Sequence, residues 1–303
     1  MIITDITGIG DPEIVLYEGK YYCYATSLDH YERGFCVWVS EDLESWSEAI
    51  PCFDAMSSWG KSHFWAPEVV YHNGKFVMHY SAMSREVNSL RIGVAVSDSP
   101  TGPFTDVHGK PMFDLGYATI DGSVLRCAEG NFFYYSRDCS ENVIDGIYTS
   151  QLYCVKLNDD LTEVIGEHVL VSTPTENFER KSLELGFKHP TIWNEGPTVI
   201  YLDGKYVMNY SANCYATNDY AICISVADSP FGPFIKSKNN PVLSCKKELF
   251  GSGHNAFFVK NDGELYTSFH IQTNPDRPSG DRRTVIGKVL FSEKDGDVYE
   301  EII

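Results

Sequence analysis

Five segments of this chain are variations on one another, so its fold must accommodate five copies of one supersecondary unit. They read DPEIVLYEGKYYCYATS from Asp11, APEVVYHNGKFVMHYSA from Ala66, DGSVLRCAEGNFFYYSR from Asp121, EGPTVIYLDGKYVMNYSA from Glu195 and HNAFFVKNDGELYTSFH from His254. Each has a small or polar head, an apolar run, a turn and an aromatic-rich return. The turns fall at Glu18-Gly19, Asn73-Gly74, Glu129-Gly130, Asp203-Gly204 and Asp262-Gly263. Apolar runs flanking such dipeptides predict β-hairpins. The heads recur at intervals of roughly 55 to 75 residues, a period typical of blade-like repeats. A second motif follows three of the hairpins: SEDLESW at Ser40, SDSPTGPF at Ser97 and ADSPFGPF at Ala227. Each closes a further strand, giving two hairpins, hence four strands, per unit.

Helical periodicity is scarce, with helical turns expected only within residues 44–50 and 173–185. Nothing is therefore available to cover a parallel sheet. The arrangement predicted is all-β: a five-bladed β-propeller with four antiparallel strands per blade around a central channel. No linker-like composition divides the chain, so residues 1–303 are expected to form a single domain, with residues 172–188 as a loop insertion.

Composition narrows the function. Twenty-four Lys and Arg against 42 Asp and Glu give a net charge of −18. That argues against nucleic acid and against an anionic membrane surface as partners, since both need clustered cations. A hydrophobic content of 43% excludes disorder. An aromatic content of 14% suits β-structure and surfaces that stack on flat ligands. No run reaches the ~20 apolar residues of a membrane span. The N-terminus has neither the basic nor the apolar region of a signal peptide. The nine Cys, scattered and without a CxxC pair, read as reduced thiols, and a cytoplasmic location is expected. The sequence does not reveal an oligomeric state.

The heads carry the candidate chemistry. In a propeller the first strand of each blade lines the channel, so one repeat position faces the same point five times. Here that position reads Asp11, Ala66 (after Trp65), Asp121, Glu195 and His254. Any one of the carboxylates alone would read as a turn residue. Their recurrence in one register is what marks a site. Crowded like charges raise one another's pKa, which is costly in a scaffold and useful for separating an acid from a base.

These elements resemble glycoside hydrolase family 43, five-bladed propellers acting mainly on arabinose- and xylose-containing glycans. The resemblance rests on GDP at Gly10, WAPE at Trp65, IDGS at Ile120, EGP at Glu195 and GHNAFF at Gly253, in that order along nearly the whole chain. It implies an inverting glycosidase for α-L-arabinofuranosides or β-D-xylosides, with Asp11 as general base, Glu195 as general acid and Asp121 as the carboxylate that tunes the acid. Inversion requires base and acid roughly 6.5–9.5 Å apart, a gap that opposing blades can supply. Trp65 is expected to stack on a sugar face and Phe64 to bind substrate next to it, with His63 alongside. Either Arg282 or Arg283 resembles the arginine that holds a sugar hydroxyl, and Arg283 is preferred. His254 is expected near the substrate, where the family also implies a calcium ion, held through water, as a structural addition not required for the chemistry. His189, Arg137 and Asp138 are either rim or surface residues. The expected partner is an imported oligosaccharide. The competing readings are a catalytically silent carbohydrate-binding propeller and an endo-acting arabinanase of the same fold.

Overall fold

The computed structural model describes residues 1–28, 33–245 and 248–303. It is a five-bladed β-propeller. Blade one is built from Ile2–Tyr17, Lys20–Ser27, Gly34–Ser40 and Ile50–Asp54, and blade two from Gly60–His72, Lys75–Ser84, Leu90–Ser97 and Thr105–Asp106. Blade three comprises Thr119–Cys127, Gly130–Arg137, Gln151–Leu157 and Val164–Ser172. Blade four comprises Asn194–Leu202, Lys205–Ala212, Ala221–Ala227 and Ile235–Lys236. Blade five has Gly253–Val259, Leu265–Gln272 and Arg282–Lys294. The five first strands touch one another in sequence, and the fifth touches the first, which closes the channel.

Closure comes from the long strand Ile2–Tyr17. Its early residues pair with Arg282–Lys294 as an outer strand of blade five, while its later residues pair with Lys20–Ser27 in blade one. Ile9 is the switch point, opposite both Ser27 and Arg282. Asp297–Ile302 extends blade five along the far end of Arg282–Lys294. Sharing a strand between the first and last blades removes the open sheet edges that a linear array would expose.

The predicted hairpins form. Glu18, Asn73 and Asp203 adopt φ near +50°, each followed by a glycine near +80°, the pairing that a two-residue turn of matching twist requires. The insertion contains a 3-10 helix, Asn177–Glu184, whose start is closed by reciprocal bonds between Glu176 and Glu179. Residues 44–50 form no helix.

The abundant aromatics fill the gaps between blades. One cluster of buried residues joins each neighbouring pair, such as Tyr24, Phe35, Phe53, Phe64 and Tyr80 between blades one and two. Others are Phe133 and Tyr135 with Val77 between blades two and three, and Tyr134 with Tyr206 and Met208 between three and four. Blades splay outward, so large rings are needed there. Phe64 is accordingly a core residue, edge-on to Phe35 and fully buried. The expectation that it binds substrate is corrected. No helix among the described residues is long and apolar enough to cross a membrane. The nine Cys are free thiols, and most are buried.

Because Ile9 is fully buried at the closure point, Ile9→Ala is expected to cost about 2–5 kcal/mol of unfolding free energy, measured by denaturant titration. A loss below about 1 kcal/mol would show that closure does not depend on this residue.

Candidate active site

Every first strand carries the same defect. In blade one, Gly10 pairs with Thr26 and Glu13 with Tyr24, leaving one extra residue on the inner strand. The same bulge follows Trp65, Ile120, Glu195 and Gly253. Its first residue has positive φ in all five blades: Asp11, Ala66, Asp121, Gly196 and His254. Four of these are not glycine, and each such backbone costs roughly 1–2 kcal/mol. Glu195 therefore stands one residue before the bulge, in register with Trp65, and not in the register of Asp11 and Asp121. The sequence-based alignment is corrected by one position. Trp65 and Glu195 nonetheless line the same cavity as the bulge residues Asp11, Asp121 and His254.

The bulge turns a backbone N–H toward the preceding blade. There a side chain from the second strand receives it: Thr26 Oγ1 from Ala66 N at 2.8 Å, Ser81 Oγ from Asp121 N at 2.9 Å and Ser211 Oγ from His254 N at 2.7 Å. The ring closes with His270 Nδ1 accepting from Asp11 N at 3.1 Å. Between blades three and four the pattern changes: Gly196 N donates to Asp121 Oδ2 at 3.1 Å, and Ser136 Oγ is left without a partner.

These strands open onto a cavity of about 500 Å³ lined by Asp11, Asp121 and Glu195. Thr26, His63, Trp65, Asp138, Trp193, Tyr215, Tyr220, His254 and Arg282 also face it. Asp11 is surrounded by cationic and donor groups. Arg282 donates to its Oδ1 at 3.0 Å, Thr26 donates to its Oδ2 at 2.7 Å, and His254 Nδ1 lies 3.3 Å from Oδ1. Burial by itself raises this carboxyl's pKa. Arg282 first, then His254 and the Thr26 hydroxyl, outweigh burial and hold it well below the usual carboxylate range. Glu195 has the opposite surroundings. Burial, then the negative charges of Asp121, Asp138 and Asp11, push it well upward, against a hydrogen bond from Tyr220 Oη to Oε1 at 2.9 Å. Asp121 is raised to about 6, first by burial and then by Asp11 and Asp138, with His254 and Gly196 N opposing.

Of the two candidate arginines, Arg282 reaches the cavity. Adjacent strand residues face opposite ways, so Arg283 points elsewhere, and its Nε finds no partner among the described residues. The preference for Arg283 is corrected. Gly10 is what admits Arg282, because a Cβ there would lie 2.0 Å from the guanidinium. The guanidinium also covers the Tyr215 ring at 4.8 Å. Asp138 lines the cavity, whereas Arg137 stacks on Tyr117. His189 packs on Tyr148, outside the cavity lining. Among the described residues no three His, Cys, Asp or Glu side chains converge as direct donors to a metal, and His254 Nδ1 is directed at Asp11 instead.

Thr26, Trp193, Tyr215, Tyr220 and His270 were not singled out from the sequence. Thr26 and His270 could have been found, since both occupy the same return-strand position as Ser81 and Ser211.

Residues 7–296 match the family model for Glycosyl hydrolases family 43, and the chain belongs to that family. A crystal structure of a thermostable family-43 glycoside hydrolase is 42% identical, with a TM-score of 0.88 over 98% of this chain and 94% of that one. The β-D-galactofuranosidase xynD of Aspergillus niger is 25% identical, covering 93% of this chain and 79% of its own length. The xylosidase/arabinosidase 43A of Humicola insolens is 24% identical, covering 99% and 98%. The chain is thus a glycoside hydrolase of family 43.

Arg282→Gln is expected to move the Asp11 titration upward, toward the ordinary carboxylate range of about 3.9. Carboxyl-detected NMR of the aspartates checks this. An unmoved Asp11 would show that the guanidinium does not control its charge.

Proposed function

We propose that this enzyme hydrolyses α-L-arabinofuranosides or β-D-xylosides in plant-derived oligosaccharides with inversion at the anomeric carbon. Asp11 is the general base, Glu195 the general acid and Asp121 the modulator of the acid. The observation that carries this reading is the opposite ionisation bias of two carboxyl groups facing one cavity. A base must be ionised at working pH and an acid must hold its proton. Arg282, His254 and Thr26 supply the first condition at Asp11. Burial beside Asp121 and Asp138 supplies the second at Glu195.

In the proposed step Asp11 takes a proton from water as the water oxygen attacks the anomeric carbon. Glu195 gives its proton to the glycosidic oxygen as that bond breaks. Asp11 leaves the step protonated and Glu195 leaves it ionised, and exchange with solvent restores both. Because Gly196 N donates to Asp121 Oδ2, Asp121 is fixed beside the residue that follows the acid. Trp65, Trp193 and Tyr215 offer ring faces for the apolar side of a sugar. The names of relatives support pentosides, and that of the Aspergillus niger protein adds a hexofuranoside to the sugars worth testing.

Leaving groups provide the test. Glu195→Ala is expected to lose ~10²–10⁴-fold on alkyl glycosides or oligosaccharides and far less on dinitrophenyl glycosides, whose leaving groups need little protonation. Asp11→Ala is expected to lose activity on both. Equal losses on the two substrate types in Glu195→Ala would remove Glu195 from the acid role.

A further inference from the structure

One hydroxyl and one imidazole lie between the Glu195 carboxyl and the backbone of Asp11. Tyr220, on the loop leading into the third strand of blade four, donates from Oη to Glu195 Oε1. Its ring lies parallel to the His270 ring, with centroids 5.5 Å apart and an interplanar angle of 6°. His270 is in blade five, fully buried, and its Nδ1 accepts the backbone N–H of Asp11. Burial first, and then the neighbouring Arg282, keep this imidazole neutral, and the Asp11 N–H fixes Nδ1 as its acceptor nitrogen. Gly253 makes room for the Tyr220 ring, because a Cβ there would sit 2.1 Å from it. Tyr220 itself is fully buried.

We propose that Tyr220 is a positioning residue for Glu195: its hydroxyl occupies Oε1 so that the transferable proton resides on Oε2, and its stack on His270 ties that orientation to the strand bearing Asp11. The inference rests on the acid role given to Glu195 above. A protonated carboxyl has one O–H and one acceptor oxygen. With Oε1 committed as acceptor, only Oε2 can carry the proton. Once that proton leaves, the same bond becomes charge-assisted and stabilises the carboxylate that forms. The other titratable groups acting on Glu195 are Asp121 and Asp138 from blade three and Asp11 from blade one. Cys139, Cys214 and Tyr215 also feel its charge. Burial first, and then the three carboxylates, push the acid's pKa upward, and Tyr220 opposes them.

Tyr220→Phe keeps the ring and removes only the donor. On an alkyl glycoside or oligosaccharide, kcat/KM is expected to fall ~10–100-fold, the range for a lost hydrogen bond to a charged group. On a dinitrophenyl glycoside the change is expected within about 3-fold. The alkaline limb of the pH profile is expected to move up by roughly half to one pH unit, because the carboxylate has lost a stabilising donor. Fluorotyrosine placed at position 220, a stronger donor, is expected to move that limb down. A uniform loss on both substrates, or an alkaline limb unmoved by both substitutions, overturns the proposal. Glu195→Ala run alongside separates the two levels. If it is leaving-group selective and Tyr220→Phe is not, only the Tyr220 assignment fails. If Glu195→Ala is unselective, the acid assignment fails and this one with it.

Discussion

The structure depends on a bond repeated between neighbouring blades: the backbone N–H of a strained bulge in one first strand, received by a side chain on the preceding blade's second strand. A bulge residue in the left-handed region is unfavourable for anything but glycine, and an unpaired buried amide costs a further ~1–3 kcal/mol. The interblade bond offsets both. It therefore makes each bulge conditional on its neighbour, so the ring cannot lose one blade's geometry without disturbing the next. Since Asp11, Asp121 and His254 are themselves bulge residues, the interactions that fix the ring also position the site.

The clamps are not uniform, and their differences separate the carboxylates electrostatically. At the junction of blades five and one the acceptor is an imidazole, with Arg282 beside it. Asp11 consequently lies among donors. At the junction of blades three and four a carboxylate, Asp121, takes the amide of Gly196 in place of a hydroxyl. Glu195 consequently lies beside negative charge. One architecture, varied at two of five junctions, gives neighbouring acids opposite preferences for the proton. No difference in residue type is required, since environment alone can set such roles.

Much of this was legible in the sequence because the repeat is written in local chemistry. Asn73-Gly74 and Asp203-Gly204 specify their turns through residues that tolerate positive φ, and the alternating apolar runs specify strands. Asp11 and Asp121 emerge from position in the repeat, and Glu195 from a position one residue off it. What escaped was anything set by register within one or two residues or by packing across blades. Glu195 matches Asp11 and Asp121 by residue type, which hides that the bulge falls one residue later, on Gly196. Arg282 and Arg283 are chemically identical, and only the pleat separates them. Phe64 beside Trp65 looks like an extension of an aromatic ligand platform, while the wedge between blades claims it. Tyr220 and His270 lie 50 positions apart in the numbering and meet only when blades four and five pack.

In the proposed reaction, water activated by Asp11 attacks directly while Glu195 protonates the leaving oxygen, with no covalent sugar–enzyme intermediate. The most direct measurement is the anomeric configuration of the first-formed sugar, followed by ¹H NMR before mutarotation on whichever pentoside the enzyme turns over. The inverted anomer is expected from the first time point. A first-formed sugar with retained configuration would contradict it, because retention needs a nucleophilic carboxylate where this structure is argued to hold a general base.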